Sequence, residues 1–202
     1  MLFRSLATGH VVAWDGTAVV NAYPGQGSPV VDLEAWEGQL FALRLDGSYN
    51  AQESPVARWQ AGGWSGTPGL DPAKNEHTAL ALRGEQLVLG AAGVDYAQFF
   101  HWDGSHWVGE DYVWLAHAAS LCAWGKGLLV GGSFSAWRGV AARNLVLLAG
   151  PIPVGLVAGG LGVSGNVLDL AAGDHLAVGG AFTTAGRTVT TGVAEWSGDG
   201  WS

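Results

Sequence analysis

At 202 residues the chain is long enough for one domain or for part of a larger one. Its net charge of −8, with only nine Lys and Arg, leaves no basic stripe for phosphates and excludes nucleic acid as a partner. Hydrophobic residues make up 49% and charged residues 13%, about half the usual ~25%, and 33 glycines argue against long helices.

The first expected elements are two strands, HVVAWDG at 10–16 and TAVVNAY at 17–23. The preceding MLFRS reads as a piece of a larger fold rather than a natural start, and MLFRSLATGHVVAW lacks the continuous apolar core of a signal peptide. No apolar run approaches the ~20 residues of a membrane span. Cys122 is the single cysteine, so no intrachain disulfide can form.

Along the chain two markers repeat. An apolar run recurs as LFAL, LVLG, LLVGG and LAVGG, whose first leucines Leu40, Leu87, Leu128 and Leu176 lie 47, 41 and 48 residues apart. A run ending in tryptophan and a turn recurs with Trp14, Trp59, Trp102 and Trp196, and Leu148 in NLVLL fills the missing place. The two markers agree on a period of about 45 residues. The units are 1–28 (third and fourth strands only), 29–76, 77–117, 118–166 and 167–202 (cut short in its fourth strand).

Inside each unit the local signals are those of strands. VLDLAA at 167–172, HLAVGG at 175–180 and GVAEWS at 192–197 are short apolar runs broken by Gly and Asp. Asp103–Gly104 between HW and SHW predicts a two-residue type I′ hairpin. Four strands, A to D, with tight A–B and C–D hairpins in ~45 residues make one blade of a β-propeller, and runs apolar on both faces suit blades stacked between neighbours. The expected fold is therefore an all-β, incomplete or open β-propeller. The uneven strand count makes it part of a larger one, with the remaining blades of a parent protein as partners.

VGG-x-F, a loop of small residues, V-A-x-W, D-G and a second tryptophan resemble the kelch and galactose-oxidase-like propellers, above all the repeat units of secreted bacterial and fungal proteins. The resemblance covers most of residues 10–201. It is full in the last unit, partial in 118–166, and weaker where no glycine pair stands at 43 or 91. It implies a propeller fold and an extracellular or cell-surface setting. It implies no activity, because propellers host unrelated functions.

The glycine pairs at 131–132 and 179–180 are expected to permit close backbone approach, with Phe134 and Phe182 packing between blades. A phosphate cradle would need a helix N-terminus, and SFSAWRGVAARN and AFTTAGRTVTTG are poor helix starts. GLGVSG at 160–165 matches a dinucleotide pattern, but a strand follows it where a helix should, and no acidic residue stands at 185. DGSYN at 46–50 lacks the later ligands of a calcium loop and reads as a turn.

His101 and His106 would face each other across the predicted hairpin, close enough to share a metal, but no third ligand is identifiable and cross-strand packing is the better reading. His10, His77, His117 and His175 fall at different offsets within their units. Cys122 in LCAW has no motif around it, so the copper-radical chemistry of galactose oxidase is not carried over, and no serine sits in a nucleophile elbow. No catalytic, metal or cofactor residue is assigned.

Trp14, Trp59, Trp102 and Trp196 in strand C, and Trp64, Trp107 and Trp201 opening strand D, should be structural. Trp36 and Trp124 fall at A–B hairpin tips, and Trp137, beside Arg138, falls in a B–C loop. These four residues are the candidate ligand contacts, weighed against packing on a neighbouring blade. The expected role is a non-catalytic scaffold binding a protein or carbohydrate. The alternatives are a piece of an oxidase- or lyase-type propeller enzyme whose catalytic residues lie outside this chain, and a purely structural spacer.

Overall fold

The computed structural model describes residues 2–5, 11–14, 17, 19–22, 29–44, 54–60, 63–71, 76–93, 95–150, 153–155 and 162–202. Among these residues there is no helix, and the strands form several antiparallel sheets. The chain makes two compact units, residues 1–77 with 103–107, and residues 78–102 with 108–202.

The first unit opens with a sheet of β1 (Leu2–Ser5), β2 (Val11–Trp14) and β3 (Val19–Ala22). The sequence placed only two strands here. The third is LFRS, whose Leu2 pairs with Trp14 as Leu40 pairs with Trp59 further on, so it occupies the strand B position without the glycine pair. A four-stranded meander follows, made of β4 (Val30–Trp36), β5 (Gln39–Arg44), β6 (Val56–Gln60) and β7 (Gly63–Gly66). Phe41, Leu43 and Val56 are fully buried. Trp59 of β6 pairs with Trp64 of β7, their rings edge to face at 5.5 Å, so here the repeated tryptophans form a cross-strand aromatic pair.

The second unit is built on three sheets. The first comprises β8 (Glu76–Arg83), β9 (Gln86–Ala92), β10 (Tyr96–Trp102) and β11 (Trp107–Trp114). The second is β12 (His117–Trp124) and β13 (Gly127–Ser133), then a small hairpin of β14 (Ala136–Trp137) and β15 (Val140–Ala141), then β16 (Leu145–Leu148) and β17 (Val154–Gly155). The third repeats this plan with β18 (Asn166–Ala172), β19 (Leu176–Ala181), the hairpin β20 (Thr184–Ala185) and β21 (Thr188–Val189), and β22 (Val193–Trp196). Trp196 then bridges Trp201, again edge to face.

The middle sheet of this unit explains why its strands are apolar on both faces. Leu128, Val130 and Val146 join a core with Val88, Phe99 and Trp137 on one side. Leu129 and Leu145, which alternate with them, join Val167, Leu170 and Val178 on the other. A strand alternates its side chains, so a sheet covered on both faces needs apolar residues at every position.

The first strands of three sheets carry a β-bulge at one equivalent place, between Val30 and Asp32, Ala118 and Ser120, and Val167 and Asp169. The extra residue restores the facing of the strand, so Ala118 and Leu121, three apart, enter the same core. The Asp32 and Asp169 carboxylates accept the next residue's N–H at 2.8 and 2.9 Å, which accounts for the acidic residue recurring at this place.

The glycine pair answers this bulge. A Cβ on Gly132 would lie 1.9 Å from the His117 carbonyl oxygen, and one on Gly180 would lie 2.1 Å from that of Asn166. The preceding glycine serves a different contact, since a Cβ on Gly131 would lie 2.4 Å from Val167 of the next sheet. In the first meander Arg44 stands where the second glycine would be. Pairing with Val30, it is buried and donates to the Ser54 carbonyl oxygen, so this strand leaves the sheet through a side-chain hydrogen bond instead.

Candidate functional site

The four sequence candidates have separate fates. Trp137, weighed as a B–C loop ligand contact against packing, is 1% exposed: the β14–β15 hairpin folds it under, between Phe134 at 5.0 Å and Phe99 at 5.7 Å. Its neighbour Arg138 is exposed on the hairpin turn with φ 48. Trp36 is half-buried, its ring edge to face with Phe41 at 6.3 Å. Trp124 is half-buried against the core of Leu129, Leu176 and Val178. Both half-buried rings pack mainly inward.

The turn at 103–106 also differs from the expected I′ hairpin. Only Gly104 has positive φ, and four residues span the turn, closed by the Asp103 N–H donating to the His106 carbonyl oxygen. The Asp103 carboxylate accepts the Ser105 and His106 N–H groups, and these backbone bonds hold it at about 2. His106 Nδ1 lies 2.9 Å from Asp103, whereas His101 Nδ1 lies 3.2 Å from Glu110. Each histidine has its own carboxylate and the two are not a ligand pair. Among the described residues, no three His, Cys, Asp or Glu side chains converge as a metal site.

Glu110 organises the most polar cluster of the second unit. Burial pushes its carboxyl up, but the hydrogen bonds and charge of Arg83, helped by His101, outweigh burial and hold it below its usual value. Arg83 grips it bidentately at 3.0 and 2.5 Å and also donates to Gln86 at 2.6 Å. Arg83, His101 and Glu110 stand on β8, β10 and β11, so the cluster ties these three strands together. With both oxygens engaged, Glu110 is a clamp rather than an acid or base.

Cys122 is half-buried, and burial together with the Asp169 charge pushes its thiol up to about 11, so it stays protonated and unreactive at neutral pH. Of the glycine-rich segment at 160–165 the structure describes 162–165, where both glycines allow close approach. Gly162 would place a Cβ 2.5 Å from Arg143, and Gly165 one 2.2 Å from the Ala181 carbonyl oxygen. Asn144 anchors the same region, accepting the Phe134 N–H at 2.9 Å and donating to the Val163 carbonyl oxygen at 3.0 Å. DGSYN at 46–50, His10 and the side chain of Trp14 lie outside the described residues.

Burial of His77 lowers its pKa to about 4, from an ordinary value of 6.5. The unfolded chain therefore takes up this proton first as pH falls. The stability contribution is complete above pH 6.5, declines between 6.5 and about 4, and levels off below. Denaturant titrations from pH 7 to pH 4 should show a loss of about 3 kcal/mol that disappears in His77→Leu. An equal loss in that variant would place the titration elsewhere.

One exposed cluster was not legible in the repeat. Tyr96 at the start of β10 and Tyr112 and Trp114 at the end of β11 touch one another, with ring centroids 5.9, 5.7 and 5.2 Å apart. Tyr112 is 52% exposed, Trp114 63% and the adjoining Leu115 82%. No protein-family model matches the chain, and no curated protein matches its sequence. Its reading therefore rests on geometry alone. Within that geometry the cluster is a feature that packing leaves unexplained, because buried apolar residues have partners and these rings face solvent.

Proposed function

We propose that this chain is a stretch of β-propeller, of the kelch or galactose-oxidase-like kind, serving as a non-catalytic scaffold that binds a protein or glycan outside the cell. Successive antiparallel meanders of about 45 residues support the propeller reading, as does the middle sheet of the second unit, buried on both faces by its neighbours. The extracellular setting rests on the resemblance of the repeat motifs. The observation that carries the binding role is the exposure of Tyr112 and Trp114, where the other described Phe, Tyr and Trp rings are buried or half-buried. Interior positions recur from unit to unit, whereas among the described residues this cluster of three touching rings does not. That is how a repeating scaffold carries one specialised surface.

Probing a mixed array of glycans and secreted proteins with the fluorescently labelled chain tests this reading. Saturable binding to at least one member of either class, with the bound glycan recovered chemically unchanged, is the expected result. Cleavage or oxidation of an arrayed glycan would move the assignment to an enzyme, and an array with no binding would remove the binding role.

A further inference from the structure

We propose that Tyr96, Tyr112 and Trp114 form a binding site for a neutral saccharide. This rests on the binding-scaffold reading above and names the ligand class of its exposed surface. The site is a rigid corner of three rings. Tyr112 and Trp114 stand edge to face, at 85°, and Tyr96 meets Trp114 at 69°. Two backbone features fix them. A Cβ on Gly93 would lie 2.2 Å from the Tyr96 ring, so the ring occupies a seat that only glycine leaves open. The chain turns at Leu115 with φ 58, and the Leu115 N–H donates to the Asp95 carbonyl oxygen at 2.6 Å, joining the β9–β10 turn to the end of β11. A ring held in place before binding loses little freedom when a ligand stacks on it.

The chemistry of the corner selects among ligands. A quaternary ammonium needs space between aromatic walls, and rings whose centroids are 5.2–5.9 Å apart already touch. The rings and Leu115 bring no cation, Asp95 is exposed beside them, and the chain carries −8, so an anionic ligand is disfavoured. With Tyr96 half-buried and Tyr112 and Trp114 partly covered, the three rings and Leu115 leave roughly 500 Å² open, short of the ~800 Å² per partner of a stable protein interface. A pyranose remains. It presents an apolar C–H face to a ring and hydroxyls to the phenol and indole N–H groups at the rim, an amphipathic match at the scale of one or two sugar units.

Native affinity electrophoresis through gels containing a neutral β-glucan, xylan, galactan or soluble chitin derivative, with alginate as the anionic control, tests the proposal. Retardation by at least one neutral polysaccharide and not by alginate is expected. The apparent Kd should weaken about tenfold or more in Trp114→Ala and in Tyr112→Ala, while Trp114→Phe retains most of the affinity. Because these rings are exposed, the melting temperature of both alanine variants should match the parent, and two independent positions guard against one failing to fold. Retardation unchanged in both alanine variants, equal retardation by alginate, or no retardation by any neutral polysaccharide would overturn the site. If the mixed array nonetheless shows binding, to a protein or to a saccharide that does not need Trp114, the scaffold reading stands and this one falls.

Discussion

Gly132→Ala and Gly180→Ala should each destabilise the chain by about 3 kcal/mol or more, whereas Gly179→Ala should change stability by less than about 0.5 kcal/mol. The four glycines of the two pairs form an internal control, because they share sequence context and differ in what an added methyl would meet. At Gly132 and Gly180 it meets a carbonyl oxygen of the bulged neighbouring strand at 1.9 and 2.1 Å, and backbone held by a hydrogen-bonded ladder cannot step aside. At Gly131 it meets the Val167 side chain at 2.4 Å, which can shift at a cost of about 2 kcal/mol. At Gly179, the counterpart of Gly131 one unit later, the closest atom is the Asp169 carbonyl oxygen at 4.0 Å. Urea unfolding of the four alanine variants checks the order. If Gly179→Ala proved as damaging as Gly131→Ala, the account of the first glycine as an inter-sheet seat would be wrong.

Trp137→Ala should be the most damaging aromatic substitution in the second unit, at about 3–5 kcal/mol. The ring fills the core between two sheets and contacts Phe99 and Phe134, so its removal leaves a cavity that the flanking strands cannot close. The contrast with Trp114→Ala is the informative part. The buried ring should govern stability, and the exposed ring should govern ligand affinity with the melting temperature unchanged. Equilibrium denaturation of both variants separates the roles, and a loss below about 1 kcal/mol for Trp137→Ala would show that its ring does not belong to the core.

The repeated interior was readable in the sequence because repetition multiplies a weak signal. VLDLAA, HLAVGG and GVAEWS fall on β18, β19 and β22 within about a residue, since each run alternates against a register that recurs. Isolated features were harder to read. LFRS was passed over as a strand because it has no glycine pair and its partner β2 begins only at Val11. Trp137 was weighed as a ligand contact and Trp114 was not read at all. The first lies in a loop by sequence spacing but is folded under by a two-residue-stranded hairpin, a tertiary contact that no local pattern encodes. The second sits in EDYVWLA, where Val113 is buried between exposed Tyr112 and Trp114. That alternation, with aromatic residues on the outward positions of a fourth strand, is the signal that would have found the site.

Val193 is 71% exposed, although its counterpart one unit earlier, Leu145, is fully buried, and Ala177 is exposed where Leu129 is not. Within these 202 residues the sheet of β18, β19 and β22 is thus covered on one face only. In a nearest-neighbour stack each sheet draws its holding energy from the junctions on its two sides, so a sheet with one junction is the weakest link. For the 202-residue chain taken by itself, hydrogen exchange should therefore start at β18 to β22 and reach the sheet of β12 to β17 later, as a zipper parts from its loose end.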